Sequence, residues 1–226
     1  METTGAFRGL RIVGGNLALD LLNTRTGPNV GDPDGDVLER YEDLVAWAEH
    51  LGVITGDGAT RLLRRAQRRP AAASAAFARA IAIREALDHV FRAVAHGERA
   101  RDSDLARLAS DEVEGLSRAR LIADGDGYRW SWDRDSGLEG PLWPAVHAAM
   151  ELVTHGPLTR VKGCDSCRFL FVDESRNRSR RWCSMDDCGT QDKMRTFVAR
   201  RRAIRATRSS RNAAVSARRR QPSASR

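Results

Sequence analysis

The sequence predicts an α+β protein with a mainly helical N-terminal domain, a β-hairpin and a small C-terminal module. Three observations lead to this fold class. Apolar residues recur at helical spacing over residues 37–51 and 77–94. Aromatic residues alternate directly after an Asp-Gly-Asp-Gly turn at residues 124–127, which is typical of a hairpin. All four cysteines fall between residues 164 and 188, which indicates a module held by cross-links or metal rather than by a core of its own.

The first elements are predicted from apolar stripes and from the signals that end them. Residues 10–23 form a short strand that turns into a buried helix or strand, and periodicity alone does not decide between the two. A loop rich in Gly, Pro and Asp follows over Gly27–Gly35. The next helix carries its stripe from Val37 to Leu51, and Gly52 ends it.

Three further helices are expected before the hairpin. A short helix covers Ala59–Arg68, and Pro70 suits the first turn of a long helix that runs to Ala95. A second short helix covers Ser103–Ala109. These elements bury an apolar face large enough for an independent domain.

The hairpin and one more helix complete the N-terminal domain. Its strands are predicted over Leu116–Ala123 and Tyr128–Asp133. Pro141 and Pro144 then open a helix that carries an apolar face through Val153.

Nothing in this domain has the pattern of an enzyme, and we expect the protein not to be one. The five histidines are scattered and form no metal-type pair, and no serine stands near a base. One polar cluster interrupts an apolar run, namely Asp20 with Asn23. It is either a ligand site or a turn whose polar groups bond to the backbone, and the latter is the more common outcome.

The cysteines follow the pattern of a metal site. Cys164 and Cys167 are two residues apart, and Cys183 and Cys188 form a second close pair. Two such pairs supply the four thiolates of a structural Zn²⁺ site, with no position left for substrate or water. Four cysteines can also bind an iron–sulfur cluster, act as a redox switch or form two disulfides. We predict one structural zinc ion.

The residues around the cysteines predict a treble-clef-like finger. Residues 168–172 form a strand, Asp173–Asn177 a turn, and Arg180–Trp182 pairs back to the strand. A helix follows Cys188 and is rich in arginine. The candidate nucleic-acid contacts lie on the hairpin and on this helix: Arg176, Arg178, Arg180, Arg181, Lys193, Arg200, Arg201, Arg202 and Arg205.

Charge is divided between the two parts of the chain. Residues 160–226 contain 19 Lys+Arg and 6 Asp+Glu, a net charge of +13, whereas residues 1–159 carry −5. Such asymmetry indicates that one end binds nucleic acid. We place the domain boundaries at 1–158, 159–206 and 207–226, the last being a disordered basic tail. No apolar run is long enough to span a bilayer, and a cytoplasmic, nucleoid-associated protein is expected.

The finger resembles the CGNR zinc-finger family in three stretches: Cys164–Cys167, Phe171–Asn177 and Arg180–Met185, followed by Cys188-Gly189 and Lys193. The N-terminal half resembles the ABATE domain that precedes this finger. The matching stretches are Gly14–Asp20 with Asn23-Thr24, Tyr41–Trp47 and Pro141–Pro144. The resemblance implies a stress-induced transcriptional regulator of the actinobacterial type, with an N-terminal domain that senses a ligand.

One departure from the family concerns the residues that name it. The family has Cys-Gly-Asn-Arg, whereas this chain has Cys188-Gly189-Thr190-Gln191. The predicted metal ligands are unchanged. A polar or phosphate contact made by the family's Asn and Arg would be lost or altered.

These observations together predict a transcriptional regulator that binds double-stranded DNA through its zinc finger and arginine-rich helix. An RNA- or ribosome-binding zinc protein is the alternative, because zinc and arginine suit either nucleic acid. Further predicted partners are a small-molecule effector and a second copy of the chain in a homodimer, with no membrane partner.

Overall fold

The computed structural model describes residues 12–132 and 136–219, with side chains described as far as residue 205. The helices are α1 (Leu17–Leu22), α2 (Tyr41–His50), α3 (Gly56–Arg68), α4 (Pro70–Ala95), α5 (Asp102–Ser117), α6 (Trp143–Thr154) and α7 (Thr190–Arg219). The strands are β1 (Arg25–Thr26), β2 (Gly35–Asp36), β3 (Arg120–Asp124), β4 (Gly127–Ser131), β5 (Val161–Gly163) and β6 (Leu170–Val172). They pair as three antiparallel two-stranded sheets, β1–β2, β3–β4 and β5–β6. The mainly helical α+β class is confirmed.

The strongest sequence signals gave the right helices. The long helix α4 begins at Pro70 and ends at Ala95, as its opening proline and apolar stripe predict. Its buried face packs into one core with α1, α2 and α6. Residues 17–22 are helical, which settles the choice that periodicity left open, and Asn16 caps this helix by accepting a hydrogen bond from the backbone N–H of Ala18.

Helix α5 is longer than predicted and takes residues that we assigned to the hairpin. It runs to Ser117, so the first strand begins at Arg120 and not at Leu116. The buried face contains Asp111, which accepts hydrogen bonds from Arg79 and Arg107 and interrupts the apolar period. Gly115 also weakens the helix signal, but it lets Trp143 approach closely, since a Cβ there would lie 3.1 Å from the Trp143 ring. Asp133, the predicted end of the second strand, lies outside the described residues.

The predicted pairing inside the finger was wrong. Strand β6 pairs with β5, which lies before the first cysteine, and not with Arg180–Trp182. Val161, Leu170 and Val172 of this hairpin belong to the same buried cluster as the helices, and the hairpin packs against α1 and α4. The first half of the finger therefore shares a core with the helical domain, which we had expected to be independent.

The chain divides into two compact units, Met1–Cys183 and Ser184–Arg226. In the second unit, one turn of π-helix over Met185–Gly189 leads directly into α7. Helix α7 runs to Arg219, so residues 207–219 are helical where an irregular tail was predicted. Residues 220–226 lie outside the described residues.

Candidate metal centre and nucleic-acid surface

The four cysteines meet in space although they come from different elements. Cys164 follows β5, Cys167 precedes β6, Cys183 ends the first unit, and Cys188 lies in the π-helical turn. Their four sulfur atoms all lie within 4.8 Å of one another. Three of the side chains are buried and that of Cys167 is half-buried. The metal ligands predicted from spacing therefore form one cluster.

The geometry of the cluster suits a tetrahedral zinc ion. Zn–S bonds of about 2.3 Å place tetrahedral sulfur ligands about 3.8 Å apart, and the Sγ atoms of Cys167 and Cys183 are 3.6 Å apart. The turn that holds the first pair is fixed by backbone bonds, from Cys164 N to Phe169 O (2.9 Å) and from Asp165 N to Arg181 O (3.0 Å). With four protein ligands the site is closed, as in structural zinc centres.

The clustered thiols favour deprotonation of Cys164 and oppose it in Cys167 and Cys183, whose pKa values are raised by their hydrogen bonds to Cys164. Hydrogen bonds from the thiols of Cys167 and Cys183 hold the pKa of Cys164 well below its ordinary value. A metal ligand must be a thiolate. Crowding of the sulfurs thus prepares the first ligand for a cation.

Segments of the helical domain hold the metal-binding turn from outside, and sequence reasoning missed all of them. Gly27 O accepts a hydrogen bond from Arg168 N (3.1 Å), and the Asn29 side chain donates to Asp165 O (2.9 Å). From α4, Arg92 donates to Arg168 O (2.9 Å). These contacts link positions more than 70 residues apart in sequence, and no local pattern announces them.

The predicted ligand cluster, Asp20 with Asn23, has its hydrogen bonds supplied by the backbone. Asp20 accepts from Val13 N (3.2 Å) and Gly14 N (2.9 Å), and burial raises its pKa against the effect of these bonds. The Asn23 side chain donates to Leu170 O (2.9 Å) and accepts from Leu170 N (3.0 Å), so it extends the edge of β6. This arrangement agrees with the alternative of a backbone-satisfied turn. A ligand at Asp20 and Asn23 stays a prediction without a described contact to favour it.

A second buried carboxylate, that of Asp173, accepts hydrogen bonds from several parts of the finger. Asp173 accepts hydrogen bonds from Lys162 Nζ (2.7 Å), Ser175 N (3.0 Å) and Arg180 N (3.1 Å). Burial works to raise the pKa of Asp173, but these bonds outweigh it and leave the pKa below its ordinary value. We had assigned Asp173 to a turn only. The signal in the sequence was its position directly after three buried strand residues.

The hairpin arginines have different environments. Arg180 donates to the carbonyl oxygens of Trp182, Cys183 and Val13, and its guanidinium lies 4.2 Å from the centre of the buried Phe171 ring. The Nε and Nη2 atoms of Arg180 therefore donate inside the protein, and a contact of Arg180 with nucleic acid stays a prediction. Arg181 is exposed and pairs with Asp165 at 2.7 Å.

Arg176 and Arg178 are both exposed. Arg178 adopts a left-handed backbone conformation (φ 51°) and donates to Thr159 Oγ1 at 3.4 Å. Both guanidinium groups are placed where a phosphate could reach them.

The cations of α7 lie on an exposed helix. All of the predicted contacts on it are exposed: Lys193, Arg200, Arg201, Arg202 and Arg205. Arg201 stacks on Phe197 at 5.2 Å. Apolar residues of this helix are also exposed, with Met194 at 59% and Phe197 at 54%. The helix thus presents both charge and apolar surface.

The two residues that depart from the family pattern are engaged locally. Thr190 Oγ1 donates to Met185 O (3.1 Å), and Gln191 Nε2 donates to Asp187 Oδ1 (3.0 Å). Both bonds join the π-helical turn to the start of α7. Gln191 therefore stabilises this turn without adding a positive charge.

Comparison with known protein families gives two matches. A model of the ABATE family, described as "putative stress-induced transcription regulator", matches residues 15–156. A model of the CGNR zinc finger matches residues 160–201. No curated protein matches the sequence. Among the described helices, none combines the length and the apolar character that a bilayer span requires. The two predicted resemblances are confirmed.

Proposed function

We propose that this chain, which belongs to the ABATE family and carries a CGNR zinc finger with four cysteines placed for one structural Zn²⁺, binds double-stranded DNA to regulate transcription. Zinc would order the turn around Cys164 and Cys167 and join it to the start of α7. The N-terminal domain would sense a small-molecule effector. Such a protein would act in the cytoplasm, on the nucleoid.

One observation carries the DNA-binding proposal, namely the exposed cations of α7, which begin five residues after the last metal ligand. Of the residues that the structure describes, none forms a salt bridge with Arg200, Arg202 or Arg205. Unpaired arginines spread around a helix axis can meet phosphates on both walls of the major groove. The Arg176 and Arg178 side chains of the hairpin would add phosphate contacts.

A binding role accounts for these features better than an enzymatic one. The four cysteines would leave their metal no open coordination position. The polar groups of Asp20 and Asn23 bond to backbone atoms. Catalysis would instead need a nucleophile and a base converging on a cavity.

RNA binding is the second candidate, and a direct competition separates the two. The zinc-loaded full-length protein would be titrated with labelled duplex DNA and with single- and double-stranded RNA of the same sequence. We expect duplex DNA to be bound most tightly, with an affinity that falls steeply as salt rises. Preference for RNA at every salt concentration would overturn the proposal.

The arginines of α7 supply the sharper test. Replacing Arg200, Arg202 and Arg205 with Ala should lower the slope of log affinity against log salt by about 3, at about 0.9 per phosphate contact. The matched control replaces three exposed arginines of the N-terminal unit, Arg64, Arg68 and Arg99, and removes the same charge. Equal losses in the two variants would mean that only net charge matters, and would contradict a defined interface.

Mapping of bound DNA across the genome would then identify the operator. Two-fold symmetric half-sites in the bound sequences would support the predicted homodimer. Bound sequences without such symmetry would contradict it.

A further inference from the structure

A cavity in the N-terminal unit has the build of a small-ligand site. It measures about 140 Å³ and lies against α3, where Ile54, Leu62 and Trp132 form apolar walls. Gly58, Gly137 and Gly140 contribute backbone to its lining. Ser136 and two arginines, Arg61 and Arg65, complete the lining. The cavity is therefore apolar inside and cationic on one side.

The two arginines lack the partners that other arginines of this unit have. Arg79 pairs with Asp111 at 2.6 Å and Arg92 pairs with Asp88 at 2.9 Å. Arg61 and Arg65 stand one helical turn apart, and no residue that the structure describes forms a salt bridge or hydrogen bond with either side chain. Both are exposed. Two positively charged residues thus line the same cavity, and neither has a salt-bridge partner among the described residues.

An adjoining cavity extends the same character. It measures about 360 Å³ and shares Ile54, Trp132 and Gly140 with the first as lining residues. Trp130 and Arg129 of β4 line it as well. Aromatic surface and arginine therefore continue beyond the first cavity, which gives room for a substituent on a bound molecule.

We propose that the smaller cavity binds a single-ring aromatic carboxylate. An apolar cavity of roughly 150 Å³ accommodates benzene, so a volume of about 140 Å³ fits one ring. The ring would pack on Trp132, Ile54 and Leu62. Its carboxylate would accept charge-assisted hydrogen bonds from Arg61 and Arg65, whose planar groups match carboxylate geometry.

The role of such a ligand as an effector rests on the proposed function, whereas its binding does not. The site is also distinct from the Asp20–Asn23 cluster, whose polar groups bond to backbone atoms. Binding can therefore be measured in the absence of DNA.

Calorimetric titration of the zinc-loaded full-length protein with benzoate tests the proposal. We expect saturable binding at millimolar concentration or below, with quenching of tryptophan fluorescence. Arg61→Gln and Arg65→Gln should each weaken binding about tenfold, because each removes a charge-assisted hydrogen bond. The matched control is Arg64→Gln, an exposed arginine on the same helix that does not line the cavity.

Two further arms separate charge from shape. Benzyl alcohol has the same ring without the charge, and acetate has the charge without the ring, so both should bind at least about tenfold more weakly than benzoate. Leu62→Trp should fill the cavity and abolish binding, and its thermal unfolding would show whether it folds. If Leu62→Trp does not fold, the arginine variants decide alone.

Three results would overturn the proposal: no benzoate binding at millimolar concentration, equal binding by the Arg61 and Arg65 variants, or equal binding of benzyl alcohol. DNA affinity would be measured on the same preparations without benzoate. Loss of DNA binding with intact benzoate binding would contradict the proposed function alone. Intact DNA binding without benzoate binding would contradict this inference alone.

Discussion

Arg84 is only 2% exposed, and its charge is balanced inside the helical core by one carboxylate. It donates to Asp36 Oδ1 at 2.7 Å and to Thr24 Oγ1 at 2.8 Å. Burial works to raise the pKa of Asp36, but Arg84, the Leu38 N–H and the charge of Arg25 together outweigh it and leave the pKa lowered. A buried guanidinium that loses its carboxylate partner keeps its desolvation cost without compensation.

Asp36→Ala should therefore lower the free energy of unfolding by about 2–3 kcal/mol at neutral pH. The folded-state pKa of Asp36 is below the unfolded one of about 3.9, so its contribution is complete above that value and is lost as pH falls through the lower one. The difference between variant and wild type should stay constant from about pH 8 to 5 and shrink below about pH 4.

Denaturant unfolding at each pH measures this difference, with the exposed Asp32→Ala as the control. A difference that grows on acidification would contradict the assigned sign. Sequence alone predicted the cysteine ligands because close spacing and exclusivity are local signals. Sequence alone could not predict the pairing of Arg84 with Asp36, since the two stand 48 positions apart and the residues next to each of them form no recognisable pattern.

At the scale of elements, the hairpin β5–β6 is held in position partly by a side chain from the N-terminal part of the chain, that of Asn23. The Asn23 side chain makes two hydrogen bonds to the backbone of Leu170, 147 residues away. Asn23 is 2% exposed, so water cannot replace these bonds. Each buried backbone group left without a partner costs about 1–3 kcal/mol.

Asn23→Ala should lower the free energy of unfolding by about 3 kcal/mol, because it strands the Leu170 N–H and C=O. It should also speed the transfer of zinc to a chromogenic chelator, since β6 begins only three residues after Cys167. The control is Asn177→Ala, at an exposed asparagine closer to the cysteines in sequence. A destabilised variant that releases zinc at the wild-type rate would show that the hairpin and the metal site are independent.

The start of α7 offers a gain of function. Gln191→Arg restores the residue that the family has at this position and adds a cation beside Asp187, which now accepts from Gln191. If this cation reaches a phosphate, DNA affinity at low salt should rise and the salt slope should steepen by about 0.9. Fluorescence anisotropy across a salt series measures both. The neutral Gln191→Met serves as the control, and an unchanged slope for the arginine variant would exclude a phosphate contact there.

Elements with strong local signals were predictable, and the misses have physical causes. Helix α4 combines an opening proline with a long apolar stripe. Helix α5 was cut short because Asp111 lies on its buried face in salt bridges. The predicted partner of β6 was wrong because its actual partner, β5, lies before the first cysteine. Two strands that flank a metal-binding turn are brought together by the metal cluster, so the residues of the turn do not predict their antiparallel pairing.

At the scale of the whole molecule, zinc should stabilise more than the finger. Elemental analysis of protein purified without added metal should give about one Zn per chain. Cys167→Ser should lower the melting temperature of the entire first unit in a single transition, because Val161, Leu170 and Val172 share the helical core. This replaces the expectation, drawn from the sequence alone, that the helical domain would melt independently.

Differential scanning calorimetry distinguishes the two cases. Asn177→Ser, an exposed substitution nearby that removes no ligand, is the control. Two resolved transitions in Cys167→Ser, one at the wild-type temperature, would restore the model of separate cores.

The hydrogen bonds between the Gly27–Asn29 loop and residues Arg168 and Asp165 limit how the finger can be moved to another protein. A fusion that joins residues 160–226 to another protein would leave the Leu170 N–H and C=O without the Asn23 side chain. It would also expose Val161 to water. Exchange between two such proteins would succeed only if the graft also carried α1 and the loop after it. The smallest part that can be transferred intact is therefore a pair of segments that are distant in sequence. The start of the finger motif is not a boundary between independently folding domains.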